Sequence, residues 1–285
     1  MAKVAVVVLT YNEEANLPAC LASLAGLDCE VFVVDSGSTD RTREMARAAG
    51  ATVREHPFTT YAEQRNWAQA NLPIRSAWLL HLDADERLTP ELVSEINRVL
   101  SDPPAVAGFL LRKRTVFMGR WIKHGGHYPA YHLRLFRRGL GVCEDRLYDQ
   151  HFLVEGEVRQ LRHDYLDVLT SDLGTWTARH ARWAELEARE LMARGSGQRR
   201  VRARVWGSPI ERRRWLRDVV FQRSPLFARA FGYWLYRYVV RLGFLDGTEG
   251  LIFHFLQACW YRFLVDATVY QERTRRRQHP GQPTG

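Results

Sequence analysis

Apolar and polar positions alternate in blocks along the first third of the chain. Val4-Ala5-Val6-Val7-Val8-Leu9 is a β-branched run that ends in the polar turn Thr10-Tyr11-Asn12-Glu13-Glu14, followed by a helical stretch from Ala15 to Leu24. Val31-Phe32-Val33-Val34 repeats the pattern, ending in Asp35-Ser36-Gly37-Ser38-Thr39-Asp40 ahead of a helix from Arg41 to Ala49. Ala51-Thr52-Val53-Arg54 reads as a third, short strand, and Ala77-Trp78-Leu79-Leu80-His81-Leu82 as a buried one. Strands alternating with helices imply right-handed βαβ crossovers and a parallel sheet. The polar ends of these strands then line one sheet edge, where open α/β sheets take their ligands.

The middle of the chain is less regular. Thr89-Pro90-Glu91 predicts a helix start, with Thr89 as cap and Pro90 as first helical residue, and the helix ends before Ser101-Asp102-Pro103-Pro104. Gly108-Phe109-Leu110-Leu111 reads as a strand running into the basic Arg112-Lys113-Arg114. Tyr131 to Arg138 alternates like another strand, and Leu173 to Met192 has helical periodicity. The aperiodic segment from Gly119 to Pro129 is rich in Gly, His and aromatic residues, and a long irregular loop of this kind is usually functional.

Asp83-Ala84-Asp85, at the end of the Trp78 strand, carries the sharpest chemistry. Two carboxylates at i and i+2 can share a divalent cation through hard oxygen ligands, leaving positions for phosphate oxygens. Each acidic residue upstream also has a structural reading. Asp40 fits a helix cap and Glu14 a first-turn acid, whereas Asp35, directly after four apolar residues, reads as a ligand contact. No Gly-x-Gly-x-x-Gly follows the first strand, which removes the support for a dinucleotide-binding domain.

Thr10-Tyr11-Asn12-Glu13, Val34 through Asp40, Gln64-Arg65-Asn66 and Asp83-Ala84-Asp85 stand in the order and at the spacings of the family 2 glycosyltransferases, which the chain resembles. The resemblance implies an α/β GT-A fold, with a mixed, mostly parallel Rossmann-like sheet flanked by helices. It also implies inverting transfer from a nucleoside diphosphate sugar, with a UDP-sugar favoured, and a divalent cation, Mg²⁺ or Mn²⁺. Thr10, Tyr11, Glu13, Asp35 and Arg65 would then face the nucleotide. Asp85 would reach the metal, and Asp83 would hold the ribose or support the metal shell. In such enzymes the general base is an Asp or Glu in the part of the chain where Glu144, Asp145 and Asp149 cluster; Asp145 and Asp149 are favoured over Glu144. Arg179-His180-Ala181-Arg182-Trp183 resembles the Gln-x-x-Arg-Trp motif of processive members, with Arg179 in place of Gln and Arg182 as a charge stabiliser. His163 is expected as a third metal contact. The acceptor implied is a hydroxyl of a cell-envelope glycan or a lipid-linked glycan. A nucleotidyltransferase and an inactive scaffold of the same fold are the competing functions. The first would show a Gly-rich triphosphate loop, which Thr10-Tyr11-Asn12-Glu13 replaces, and the second sits poorly with intact Asp35, Asp83 and Asp85.

Charge changes the picture only toward the C-terminus. The chain has 285 residues and a net charge of +9, concentrated from Arg199 onward in Arg199–Arg204, Arg212–Arg214 and Arg273–Arg277. Aromatic and aliphatic stretches, Leu226 to Leu245 and Leu251 to Tyr270, lie between these clusters. Arg229, Arg237 and Arg241 interrupt the first and His254, Arg262 and Asp266 the second, so neither reads as a membrane span. A helical region lying on an anionic leaflet is expected over an internally packed subdomain, and nucleic acid is not an expected partner, since no reader motif is present. The division expected is a catalytic domain over 1–195, with a nucleotide half to about 105 and an acceptor half beyond it, and a basic helical region over 196–285. Four scattered cysteines and the lack of a leader-like N-terminus point to a cytoplasmic protein at the inner membrane face.

Overall fold

The computed structural model describes residues 2–147, 149–170, 172–192, 204–207 and 209–278. Its first half follows the alternation of the sequence. Strands β1 (Val4–Thr10), β2 (Cys29–Asp35), β3 (Thr52–Glu55) and β4 (Trp78–Asp83) are separated by helices α1 (Leu17–Ala22), α2 (Thr42–Ala48) and α3 (Tyr61–Asn71). β1 lies between β2 and β4, and all four strands are parallel. Val4, Val6 and Val8 pack on one face of the sheet with α1, whereas Ala5 and Val7 pack on the other with α3. Burial on both faces is why β1 reads as a continuous apolar run. Helix α1 is shorter than the 15–24 stretch expected, starting beyond Asn16 with Pro18 in its first turn.

The second half adds β5 (Glu86–Leu88), α4 (Pro90–Ser101), β6 (Gly108–Phe117), β7 (Arg120–Trp121), β8 (Ala130–Arg137), β9 (Gly141–Cys143), β10 (Phe152–Val154), β11 (Val158–Leu169) and α5 (Leu173–Met192). Thr89 caps α4 by accepting from the Leu92 amide at 3.3 Å, as its sequence predicts. The large sheet runs β3-β2-β1-β4-β8-β6-β11-β5, with β7 on β6, and β9 and β10 form a separate hairpin. β8 enters antiparallel to both β4 and β6, so the sheet is mixed.

Two strands differ from expectation. β6 does not stop at Leu111 but carries its basic triplet inside the strand. Arg112 and Arg114 pair with Asp164 at 2.9 and 2.7 Å, and Lys113 pairs with Asp167 at 2.8 Å, all across the β6–β11 ladder. β11 was not legible in the sequence, because a register shift between Gln160 and Asp164 breaks its period of two.

Beyond α5 the chain is helical. α6 (Pro209–Trp215) continues as a π-helical segment to Phe221, and α7 (Ala228–Leu235) as another to Val240. A 3₁₀ turn (Gly243–Asp246) leads into α8 (Gly247–His254), a third π segment and α9 (Tyr261–Gln278). α9 packs along α5, with Tyr261, Val265 and Val269 against Ala184 and Ala188, and the Tyr261 hydroxyl donates to Glu187 at 2.7 Å. The domain boundary expected near residue 195 and the cluster Arg199–Ala203 lie outside the described residues. Among those described, no helix is long and apolar enough to cross a membrane.

Candidate functional site

β1, β2 and β4 end side by side, with Thr10 level with Asp35 and Leu9 level with Asp83. The loops after β1 and β2 are stitched together. The Asn12 amide donates to the Ser38 hydroxyl at 2.8 Å, the Asn12 side-chain oxygen accepts from the Thr39 amide at 2.8 Å, and the Glu13 amide donates to the Thr42 hydroxyl at 2.8 Å. Asp40 accepts from the amides of Thr42 and Glu14 at 3.0 and 3.1 Å, which is the capping role expected of it. Asp35 is fully buried and accepts from the Thr10 hydroxyl at 3.0 Å, the Ser38 amide at 2.8 Å and the Gly37 amide at 3.1 Å, as well as from the Ser38 hydroxyl. Asp35, expected as a ligand contact, also shapes the turn through these bonds. Thr10 serves the same network, while Tyr11 stands at the rim, 59% exposed.

Asp83 sits at the centre of a charge cluster. Arg65, from α3, donates to it at 2.9 Å and Arg134, from β8, also at 2.9 Å, while Arg134 reaches Glu86 at 2.6 Å. Burial alone would raise the Asp83 pKa, but the two guanidinium groups outweigh it and hold the carboxyl well below the usual range. Glu86 goes the other way: burial, with the charges of Asp83 and Asp167 nearby, pushes it up to about 7 despite Arg134. Asp83 is therefore a fixed anion rather than an open ligand.

Asp85 is different. It is half-buried, and its carboxylate has no hydrogen-bond or ion-pair partner among the described residues. Burial and the negative charges of Asp167, Asp83, Glu86 and Glu13 raise its pKa well above the ordinary value. An unpartnered carboxylate in a field of acids is the arrangement that a divalent cation relieves. Among the described residues no three His, Cys, Asp or Glu side chains could hold a metal by themselves. The donor set therefore fits a cation whose remaining ligands come from phosphate oxygens and water.

His163 is not brought to this point. The Asp85 carbonyl accepts from the Val168 amide at 3.0 Å, and His163 lies five residues further back along β11, roughly 16 Å at strand rise. Its ring nitrogen is 2.8 Å from Glu95 of α4, so the residue ties β11 to that helix.

Of the three acids after β9, Glu144 is fully buried and accepts from Arg214 of α6 at 2.7 Å and from the His151 amide at 3.0 Å. Asp149 is partly exposed, bound by Arg217 at 2.8 Å, and has a left-handed backbone with φ 55°. Its burial is outweighed by His151 and Arg217, which hold its pKa below the usual range. Asp145 is exposed and has no side-chain partner among the described residues. The hairpin that carries these acids is fixed to the nucleotide half by Asn66 of α3, which donates to the Cys143 carbonyl at 3.2 Å and accepts from its amide at 2.8 Å.

On α5, Arg182 is exposed, but Arg179 turns inward. Its charge is felt by both Glu13 and Tyr61, two residues whose pKa values burial raises and Arg179 opposes. Its buried Nε has no hydrogen-bond partner in the described structure. Of the two arginines of this helix, Arg179 rather than Arg182 is the one whose charge reaches Glu13 and Tyr61. Arg134, Glu86 and Asp167 escaped the pattern reading altogether. The one signal available was an arginine inside an apolar strand, since Leu133, Arg134, Leu135 and Phe136 are all buried and such a charge needs a partner.

The family model described as glycosyl transferase family 2 matches residues 5–152. A TPR repeat-containing protein of Synechococcus elongatus is 34% identical over 164 residues, covering 57% of this chain and 38% of that protein. The lipopolysaccharide core biosynthesis glycosyltransferase LpsC of Rhizobium meliloti is 33% identical over 141 residues, covering 47% and 50%. The chain thus spans between about a third and a half of the curated relatives it matches. The crystal structure of S. aureus TarS 1-349 in complex with UDP-GlcNAc aligns with 95% of this chain and 92% of that one, at 14% identity and a TM-score of 0.48.

Proposed function

Because the chain belongs to glycosyl transferase family 2, we propose that it transfers a sugar from a nucleoside diphosphate sugar, a UDP-sugar by the family resemblance, to a hydroxyl of a cell-envelope glycan or lipid-linked acceptor, with inversion. The observation that carries this reading is the unpartnered Asp85 carboxylate at the carboxyl edge of the sheet, between the stitched β1–β2 loops and the arginine-bound Asp83.

In this reading Asp85 holds a divalent cation, which when bound neutralises the charge that develops on the leaving diphosphate. Arg65 and Arg134 keep Asp83 ionised and immobile, so that it can accept hydrogen bonds from the ribose. Arg179 supplies a cation on the leaving-group side. Asp145 takes the proton of the acceptor hydroxyl as its oxygen bonds to the anomeric carbon and the bond to the diphosphate breaks. Asp145 is preferred to its neighbours because Glu144 and Asp149 are already neutralised by Arg214 and Arg217. The basic, aromatic-rich C-terminal region supports a reading in which the protein works at an anionic membrane surface.

A thermal-shift panel of UDP-, GDP-, CMP- and dTDP-sugars with and without Mn²⁺ tests the donor site. One nucleoside diphosphate sugar should raise the melting temperature in a cation-dependent way, and Asp85→Asn should cancel the cation-dependent part. Stabilisation by nucleoside triphosphates instead, with their turnover, would favour the nucleotidyltransferase.

A further inference from the structure

Among the described residues, the C-terminal region exposes a cluster of apolar side chains around the 235–245 stretch. Leu235, Val239, Val240, Leu242, Phe244 and Leu245 are 53, 48, 64, 47, 46 and 49% exposed, although they belong to one short stretch of well-formed backbone. The stretch is continuous in space: the Leu242 and Leu245 amides donate to the carbonyls of Val239 and Leu242, and the rings of Tyr238 and Phe244 lie 6.3 Å apart. Apolar side chains concentrated in this way on a surface mark a contact with something else.

Leu242 sharpens the point. It sits in the left-handed region, φ 59° and ψ 31°, a conformation that costs any residue with a Cβ. The glycine beside it is confined for a different reason, because a Cβ on Gly243 would lie 2.7 Å from the His254 ring. At position 242, by contrast, an exposed leucine is retained where glycine would relieve strain, and the fold gains little burial in return.

The charge around the face is mainly positive. Asp246 is the sole acid between Leu226 and Thr248, and it is buried between His124, 2.6 Å away, and His254. Arg241 and Lys123 are exposed, and Arg120 flanks the turn from the neighbouring loop, reaching the Leu245 carbonyl at 3.5 Å and pairing with Glu249 of α8 at 3.7 Å. The face is mounted rigidly on the 119–129 loop. The Gly125 amide donates to the Arg241 carbonyl at 2.9 Å, Arg237 donates to the Gly125 carbonyl at 2.8 Å, and the His124 amide donates to Asp246 at 2.9 Å.

We propose that this face is the bilayer-contact surface: Val240, Leu242, Phe244 and Leu245 enter the headgroup boundary of an anionic leaflet, while Arg241, Lys123 and Arg120 lie among the phosphates. The inference rests on the membrane-surface reading above and adds which residues make the contact. Through the 119–129 loop the contact fixes how the sheet edge is presented to the leaflet.

Co-sedimentation of the full chain with phosphatidylglycerol/phosphatidylcholine vesicles, against phosphatidylcholine alone, tests it. The unaltered protein should bind the anionic vesicles and be partly released by salt. Val240→Ser with Leu245→Ser should weaken binding by about tenfold or more. Leu242→Gly should weaken it several-fold while melting at the same or a higher temperature, which separates lost contact from lost folding. If the unaltered protein fails to bind, the membrane reading and this inference both fall. If it binds and the variants bind equally well, only this inference falls. If the variants instead dissociate a dimer in sedimentation velocity, the face belongs to a second copy of the chain and the proposal is overturned.

Discussion

At the scale of single residues, the site turns on which charges are already spent. Asp35 and Asp83 look alike in the sequence, each following an apolar strand. One is bonded within its own turn and the other by two arginines, whereas Asp85 has no side-chain partner among the described residues. For Asp83 the distinction depends on Arg65 of α3 and Arg134 of β8, so spacing could show the acid but not its partners. The same logic separates the two arginines of α5. Arg179→Gln should lower transfer by about 10²-fold, the loss typical of one donor to a developing charge, whereas Arg182→Gln should change little. Equal losses in steady-state kinetics would refute the assignment of Arg179. Among the acids after β9, Asp145→Asn should cut turnover by about 10²–10⁴-fold with donor affinity nearly unchanged. Glu144→Gln should act mainly on stability, because it leaves the buried Arg214 without its counter-charge. A large loss in Asp149→Asn with Asp145→Asn nearly active would move the base to Asp149.

At the scale of elements, the strands of the first third were legible because burial on both sheet faces imprints itself on the sequence, and α4 because of its Thr89 cap, whereas α3 went unread. β11 was not legible, because its bulge and its cross-strand ion pairs put polar residues where a strand pattern expects apolar ones. The function of α5 was also hidden, since its buried side meets α9 from the far end of the chain. His180 reports on that contact. It stacks on Trp176 at 3.5 Å, its Nδ1 lies 2.8 Å from the Trp176 carbonyl, and its Nε2 lies 3.0 Å from the Gln257 amide nitrogen. Burial lowers its pKa to about 4, with the charge of Arg179 adding to the effect and the Trp176 carbonyl opposing it. The unfolded imidazole, with a pKa of about 6.5, then holds the extra proton between that value and about 4. This contribution to stability is complete above pH 6.5 and is lost as the pH falls through the window. Melting followed by tryptophan fluorescence should show a drop in this range, and His180→Gln should flatten it. An unchanged slope in the variant would mean that His180 is not the group responsible.

At the scale of the whole molecule, the sequence suggested a catalytic domain with a basic helical appendage, and the described C-terminal helices pack onto elements of the first 192 residues. α9 lies along α5, whose Arg179 acts electrostatically on Glu13, and the 241–246 turn is hydrogen-bonded to the 119–129 loop. The pair Arg229–Asp266 is the keystone of the appended helices. Asp266 is fully buried, Arg229 nearly so, and Asp266 also accepts from the Phe227 amide at 2.7 Å. Removing one partner strands a buried charge, at a cost of about 3–5 kcal/mol, whereas replacing both with apolar residues costs far less. Arg229→Met should therefore lower the melting temperature markedly, and Arg229→Met with Asp266→Leu should recover much of the loss. Because α9 packs along α5 and the 241–246 turn is hydrogen-bonded to the 119–129 loop, each variant should melt in a single transition, and a nucleoside diphosphate with Mn²⁺ should shift that transition as a whole. Two transitions in calorimetry, with nucleotide moving only the first, would show that the helical region is an independent unit. The bilayer contact could then not orient the donor site through the fold.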